Sequence, residues 1–253
     1  MGAITKFKHR AVVNQIRHCN RTIKNNSNTD IDATKTPLNY SLTPERPESE
    51  YEYYLKRKSE VYCYNRDDVN TMAGWIITAP KSLETLEEQE IFFAETYRFL
   101  EHRYGKENTV FAFVHYDEGK REKKKFLGEC VKDEHGHIVT ELICGRPHLH
   151  FGFIPIVDDP KHVQGKKICA NSLLTNRELQ SFHKDLQSHL RKKGVKGAED
   201  ILNGSTKKQG RNYTVEELKE NYELDKELKR LREIEHRYKM ERERSLFYEE
   251  VNR

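Results

Sequence analysis

His148 and His150 stand two residues apart in Pro147-His148-Leu149-His150-Phe151-Gly152-Phe153-Ile154. In an extended segment the side-chain period is two, so both imidazoles project from one face. His115-Tyr116-Asp117-Glu118 follows a second apolar run, Phe111-Ala112-Phe113-Val114. A third imidazole, from His115 on a neighbouring strand, would complete a set of three nitrogens. Neutral imidazoles suit a divalent transition metal, and three protein ligands leave positions open for water or phosphate oxygens. Asp117 and Glu118 can supply a further ligand, a general base, or a carboxylate that orients an imidazole. The plainer alternative is a hydrogen-bonded histidine pair on a polar sheet face, and imidazoles alone would equally suit zinc. The apolar flanks place these histidines on central strands and favour the metal.

The second group is His18-Cys19-Asn20-Arg21. A spacing of three puts His18 and Arg21 on one face of a helix. A nucleophile beside an arginine that grips phosphate is a sensible arrangement for attack on a phosphodiester. A neutral imidazole is nucleophilic near pH 7, whereas a tyrosine with a pKa near ~10 must first lose its proton. The alternative is a surface helix with an incidental His and Arg. Tyr40 and the tyrosines at 51, 53, 54, 62 and 64 are rival nucleophiles, and they would serve equally as core faces or as stacking surfaces for single-stranded bases.

These side chains need a scaffold, and 253 residues allow one ordinary domain plus an appendage. Mean hydropathy is −0.93, but 11 Phe and 13 Tyr argue against whole-chain disorder. No apolar run is long enough to span a bilayer, and the first residues lack the apolar segment of a secretory signal. Five cysteines without a CxxC pair fit reduced thiols in a cytoplasm. Net charge is only +4, but it is unevenly placed: residues 1–36 carry seven Lys/Arg against two acids, and residues 184–211 eight against three. Residues 216–253 hold 10 basic and 12 acidic side chains and cancel. Basic patches favour a polyanion partner.

Periodicity predicts a strand at 4–7, a helix over 10–24, and a long loop over 25–50. It then predicts a Tyr-rich helix within 51–70, a strand at 75–78, a helix after the Thr85/Glu88 capping box, and a strand at 110–116. Lys120–Lys125 reads as a basic loop, 126–131 and 138–144 as a hairpin turning at 133–136, and 148–156 as another strand. A second capping box, Thr175 with Glu178, opens a helix ending at Lys192-Lys193-Gly194. Residues 203–212 read as a linker and 214–250 as a charged helix with a thin apolar stripe at Leu224, Leu228, Leu231 and Tyr238. Strands without regular βαβ alternation, with helices packed on one side, make an α+β fold.

In chain order, HCNR, SNTDID, LNY, WIIT and HYDE…PHLHFGFIP resemble the Pre/Mob family, the MobV class of plasmid mobilisation relaxases, over roughly residues 1–190. The resemblance implies an HUH endonuclease fold, an antiparallel sheet flanked by helices whose histidine triad binds one Mn²⁺ or Mg²⁺. It implies nicking of one DNA strand at a transfer origin, an enzyme left covalently on the 5′ phosphate, and rejoining during conjugative mobilisation or recombination. Carried over by motif, His18 is the nucleophile, Arg21 its phosphate contact, and Glu118 the acidic partner. His115, His148 and His150 are the metal ligands. Arg66, Lys124, Lys192 and Lys193 are candidate DNA contacts.

The expected organisation is a relaxase domain over 1–202 and a linker with a C-terminal helix over 203–253. The departure from the family is the stretch between HYDE and PHLH, nearly absent there and 28 residues here, read as a hairpin inserted within 119–146. It carries Cys130, His135, His137 and Cys144, a conceivable small zinc site with no standard spacing. Expected partners are single-stranded origin DNA, a conjugation coupling protein, and a second copy meeting through the C-terminal helix, with no membrane. The rival functions are a non-catalytic DNA-binding regulator of the same fold and a metal-dependent phosphodiesterase without a covalent intermediate.

Overall fold

A computed structural model describes residues 2–23, 30–126, 129–201, 207–208, 211–212, 227 and 230. Five strands form one antiparallel sheet: β1 (Gly2–Lys8), β2 (Tyr40–Ser41), β3 (Asn70–Thr78), β4 (Thr109–His115) and a strand at His148–Phe153. That last strand, β9 in chain order, is central, paired with β3 on one side and β4 on the other; β1 and β2 form the edges. The register sets His148 opposite both Thr78 and His115, and His150 opposite both Ile76 and Phe113. The histidines are therefore on central strands, as their apolar flanks implied.

Alternation divides β9 between two layers. Leu149, Phe151 and Phe153 join Trp75, Ile77, Ala112 and Val114 on one face. Helices α3 (Leu86–Tyr104) and α5 (Asn176–Lys192) cover that face. Trp75 stacks on Phe182 with ring centroids 3.6 Å apart and donates Nε1–H to the Tyr104 hydroxyl at 2.9 Å. On the other face Met72, Val110, Phe111 and Ile154 pack against Val12, Ile16 and Cys19 of α1 (His9–Cys19) and Tyr54 of α2 (Glu50–Ser59). Helices thus cover both faces, not one. The spacing of Val12, Ile16 and Cys19 gives α1 a narrow buried stripe that must find a sheet face of its own. Gly152 makes this possible, since a Cβ there would lie 2.4 Å from the Phe111 ring.

The helix starts follow their capping residues. Thr85 and Glu88 form the expected reciprocal box. Ser49 and Glu52 form a second one that opens α2, a signal overlooked in the sequence. At α5 only half of the expected box forms. Thr175 accepts from the Glu178 amide, but the Glu178 carboxylate binds Arg103 at 2.6 and 2.9 Å and accepts from the Tyr104 hydroxyl.

The stretch read as a basic loop is a strand. Here β5 (Gly119–Lys123) pairs with β8 (Thr140–Cys144) in a two-stranded ribbon. Between them β6 (Lys125–Phe126) pairs with β7 (Glu129–Cys130), and Lys132 bridges Ile138 around the expected turn. A ribbon solvated on both faces needs no apolar alternation, so its lysines read as a loop. The Asp133 carboxylate caps the turn by accepting from the amides of His135 and His137. After the sheet come β10 (Ile156–Asp158), β11 (Lys166–Ile168) and α4 (Ala170–Leu173).

The chain divides into two compact units, 1–203 and 204–253. In the second, β12 (Lys207–Lys208) pairs with β13 (Arg211–Asn212), so part of the segment read as a linker is a short hairpin. Of the charged helix expected over 214–250, only Glu227 and Arg230 are described; both are helical and lie 3.9 Å apart as an ion pair. Its apolar stripe lies outside the described residues. Among the described residues no helix is long and apolar enough to cross a membrane.

Candidate active site

Four groups converge at one end of the sheet: His148 and His150 from β9, His115 from the end of β4, and Glu118 three residues further on. One ligand atom from each lies within 4.8 Å of every other. Glu118 is the hub. Its Oε1 is 3.2 Å from His115 Nδ1 and 3.9 Å from His150 Nε2, and its Oε2 is 3.1 Å from His148 Nε2. Burial alone would raise its pKa. The imidazoles of His115, His148 and His18 and the Arg21 guanidinium overcome that and hold the carboxyl well below the usual carboxylate range.

The far nitrogens of two rings fix their tautomers. His115 Nε2 lies 2.7 Å from the Cys19 carbonyl, and His148 Nδ1 lies 3.2 Å from the Arg146 carbonyl. A carbonyl only accepts, so in the neutral rings His115 turns the lone pair of Nδ1, and His148 that of Nε2, toward the Glu118 carboxylate. At His115 the Arg21 Nη2, 3.0 Å from Nδ1, offers a donor to that lone pair; at His148 Nε2 acceptor faces acceptor, an arrangement that a bound cation would relieve. His150 strengthens this argument: its Nε2 is buried without a hydrogen bond. Burial and the neighbouring imidazoles push its pKa well below the usual histidine value, so the ring is neutral and its lone pair is available to a cation. Three imidazoles with outward hydrogen bonds or an orphaned nitrogen, plus one carboxylate, fit a single divalent cation. In this set Glu118 is a prospective ligand beside the three histidines, and the intervening ribbon has not displaced it.

His18 reaches the group from α1. Its Nε2 lies 3.3 Å from Glu118 Oε1, and its ring meets those of His115 and His150 edge-on at 6.4 and 5.9 Å. About a third of its side chain is exposed, the most open of the cluster. Arg21 is also present, but not by helical spacing. The helix ends at Cys19, Asn20 is its cap, and Arg21 takes the left-handed backbone at φ 57° that usually selects glycine. The Thr22 amide then reaches back to the Arg17 carbonyl at 3.1 Å. This reversal lets Arg21 Nη1 donate to the His18 carbonyl at 2.6 Å, while Nε and Nη2 grip Asp117 at 3.0 and 2.7 Å. Nη2 also lies 2.8 Å from Glu118. Asp117 is fully buried and accepts from the Thr36 hydroxyl as well. The guanidinium is thus spent on two carboxylates, the His115 ring at 3.0 Å and a helix end, which suits positioning better than the phosphate contact expected of it. Asp117 is the residue whose specific role the sequence did not single out; its adjacency to Glu118 was the available signal.

The rival tyrosines stand elsewhere. Tyr40 pairs with Val114 and packs on the opposite face of the sheet from His115, and burial raises its hydroxyl well above the usual phenol range. Tyr54 is buried with its hydroxyl on Thr71, Tyr53 donates to the Glu107 carbonyl, Tyr51 stacks on Tyr54, and Tyr62 and Tyr64 surround His162. The candidate DNA contacts are scattered. Lys124 lies on the ribbon. Arg66 pairs with Asp68 before β3, at the end of that strand remote from Thr78 and His148. Lys192 and Lys193 close α5, in the layer across the sheet from the histidines. Arg146, exposed and two residues before His148, was missed. The insertion's cysteines and histidines form no metal group; among the described residues the one such group is His115, Glu118, His148 and His150.

The model of a family described as plasmid recombination enzyme matches residues 1–212. A plasmid recombination enzyme of Lactiplantibacillus plantarum is 28% identical over 225 residues, covering 87% of this chain and 52% of the relative. One of Bacillus thuringiensis is 28% identical over 234 residues, covering 90% and 44%. The chain therefore spans about half the length of the curated relatives it matches. In fold it is similar to the MobM relaxase domain, crystallised with manganese and plasmid oriT DNA. The TM-score is 0.60 at 23% identity, over 87% of this chain and 97% of that one.

Proposed function

This chain belongs to the plasmid recombination enzyme family, and on that premise we propose that it is a DNA relaxase acting at a plasmid or mobile-element transfer origin. It nicks one strand by transesterification, holds the 5′ phosphate covalently on His18, and later reseals the strand. The observation that carries this reading is His18 Nε2 at 3.3 Å from the carboxylate at the centre of the histidine cluster. A DNA-binding regulator has no use for an imidazole held there.

The residues divide the work. His115, Glu118, His148 and His150 would hold one Mn²⁺ or Mg²⁺, which would supply Lewis-acid polarisation of the scissile phosphate. Glu118 accepts from Nε2–H of His18, leaving the ring's lone pair on Nδ1. Nδ1 attacks phosphorus, the bond from phosphorus to the 3′ oxygen breaks, the Nε2 proton is lost to solvent and the departing oxygen takes a proton from water, while Glu118 stays ionised and orients the ring. The product is a phosphoramidate and a free 3′ hydroxyl, and the reverse reaction rejoins the strand. Arg21, locked by Asp117, fixes the end of α1 and so the place of His18. Single-stranded origin DNA is the substrate, a conjugation coupling protein is the partner this role calls for, and the cytoplasm is where both are met.

The test is incubation with Mn²⁺ and supercoiled DNA carrying the element's own origin, followed by a search for a protein-linked nick. A histidine–phosphorus bond is labile in acid and a tyrosine phosphodiester is not. The adduct should disappear on brief acid treatment, be absent in His18→Ala, and persist in Tyr40→Phe. Turnover without any adduct would make the chain a plain phosphodiesterase instead.

A further inference from the structure

Two members of the candidate site, His115 and Glu118, stand three residues apart where β4 ends. In an unbroken strand that spacing puts side chains on opposite faces and about 10 Å apart along the chain. Here Glu118 Oε1 lies 3.2 Å from His115 Nδ1. The strand therefore has to stop between them. It does: the chain bends at Tyr116 and next pairs at Glu118, in a bridge to Ile31. One segment, residues 30–39, grips this bend. Asn39 Oδ1 accepts from the Tyr116 amide at 2.8 Å. The Asp32 amide donates to the Asp117 carbonyl, and the Gly119 amide to the Asp30 carbonyl, each at 2.8 Å. Thr36 adds its hydroxyl to the Asp117 carboxylate at 2.9 Å.

Asn39 holds the first of these points. Tyr40 pairs with Val114 and Ser41 with Phe113, and the same register continued would set Leu38 opposite Tyr116. Leu38 instead belongs to the 3₁₀ turn Thr36–Leu38. The side-chain oxygen of Asn39 takes the Tyr116 amide in its place. The turn fixes Asn39 in return, since the Asn39 amide donates to the Thr36 carbonyl at 3.0 Å. A hydrocarbon at 39 would leave the Tyr116 N–H without this acceptor. Asn39 is not there for stability alone: its Nδ2 is buried without a hydrogen bond, which costs stability.

We propose that Asn39, with Thr36, is a positioning residue for the metal site: by standing in for the missing ladder partner it sets the bend that returns Glu118 to His115. It acts through the backbone of residues 116–118, not on substrate or cation. Asp30, Ile31 and Asp32 come from the SNTDID motif and Asn39 from LNY. Motifs that the reaction itself does not use thus build the frame of its ligands. The other end of β4 supplies a natural comparison. There Arg46 donates to the carbonyls of Val110 and Thr109 at 3.2 and 3.0 Å, and Thr109 pairs with Phe153, at the end of β9 away from His148. Both side chains pin the strand, but only Asn39 pins the end that carries ligands. The inference rests on the metal reading of the histidine cluster.

The experiment uses the full chain and compares the wild type with Asn39→Leu, Thr36→Val and the remote control Arg46→Leu. Three quantities are read: Mn²⁺ affinity by titration calorimetry, the melting temperature without metal, and metal-free affinity for a single-stranded origin oligonucleotide. Asn39→Leu should lose about tenfold or more in Mn²⁺ affinity, the usual scale for groups behind the ligands. Thr36→Val, a change of similar size that decides the matter if Asn39→Leu does not fold, should lose about threefold or more. Arg46→Leu should melt earlier yet bind Mn²⁺ within about twofold of the wild type. Oligonucleotide affinity should hold in all three. An Asn39→Leu protein that melts early but binds Mn²⁺ normally would make Asn39 a plain structural residue. Equal Mn²⁺ losses in Asn39→Leu and Arg46→Leu would mean general loosening of β4, and lost oligonucleotide affinity with Mn²⁺ binding intact would make Asn39 a DNA contact; each overturns the proposal. A wild type that binds no Mn²⁺ overturns the metal site and this inference with it. A chain that shows the expected Asn39 dependence and never nicks overturns the relaxase reading alone.

Discussion

The two faces of β9 belong to one six-residue strand and obey opposite rules. Leu149, Phe151 and Phe153 have no exposed surface and meet only apolar neighbours. His148 and His150 are nearly as buried, but they point lone pairs at a carboxylate, and one nitrogen has no hydrogen-bond partner. Burying a polar atom unpaired costs roughly 1–3 kcal/mol. One face maximises stability and the other gives some up to keep a ligand set preorganised. A strand can do both because neighbouring side chains point to opposite layers.

Exchanging the rules is the strongest test of that contrast. Replacing His148 or His150 by alanine should cut nicking by at least about a thousandfold, since the bound cation is worth several kcal/mol in the transition state. DNA affinity should hold, because phosphate contacts supply it. Thermal unfolding without metal should change little. On the opposite face, Phe151→Ala should lower stability by about 3–5 kcal/mol, a large share of a domain's marginal total, while the surviving folded fraction still nicks. A His150→Ala protein that melts as early as Phe151→Ala would make His150 a core residue and dissolve the distinction. Full nicking by purified protein in excess chelator would remove the metal altogether.

Much of this was legible in the sequence, and the gaps have physical causes. The period of two in HLHFGF placed both histidines on one face, and the apolar flanks placed them centrally. The pairing of His115 with His148 follows from strand order, which periodicity does not encode. The helix carrying His18 was expected to run to residue 24, because nothing in HCNRT announces a left-handed residue when arginine occupies it. The layer of α1 and α2 was missed as a second face because its stripe is only three residues wide. The ribbon misread as a loop shows the limit of hydrophobic alternation: an element solvated on both sides carries no such signal.

The Asp117–Arg21 pair joins the two faces of the comparison, being buried like the core and charged like the site. Removing one partner of such a pair leaves the other uncompensated. Asp117→Asn keeps the shape and loses the charge. It should reduce Mn²⁺ affinity by about 10–100-fold, the usual effect of disturbing groups behind the ligands. Arg21→Gly relieves the left-handed backbone yet should lose as much metal affinity, because the guanidinium no longer braces Glu118. Calorimetry on both variants separates positioning from strain: a gain in stability with unchanged metal affinity in Arg21→Gly would mean that the arginine is incidental.

The smallest effect belongs to the basic end of α5. Sequence charge alone suggested that Lys192 and Lys193 hold DNA, and a helix end bearing adjacent lysines is a reasonable phosphate contact. The sheet separates them from the histidines, however. Phe182, Leu186 and Leu190 turn α5 into the layer against Leu149 and Phe151, so its exposed end belongs to the side away from His18. A strand engaged at Glu118 must pass around the edge of the sheet to reach it. Each phosphate contact adds about 0.7 to the salt slope on single strands, so Lys192→Ala/Lys193→Ala should change that slope by well under one such unit. The same measurement on Arg146→Ala, two residues from His148, should change it by about one. A reversal of that order, with the α5 lysines carrying the slope, would show that bound DNA wraps both layers and that the division between a packing side and a working side holds for the strand but not for the surface.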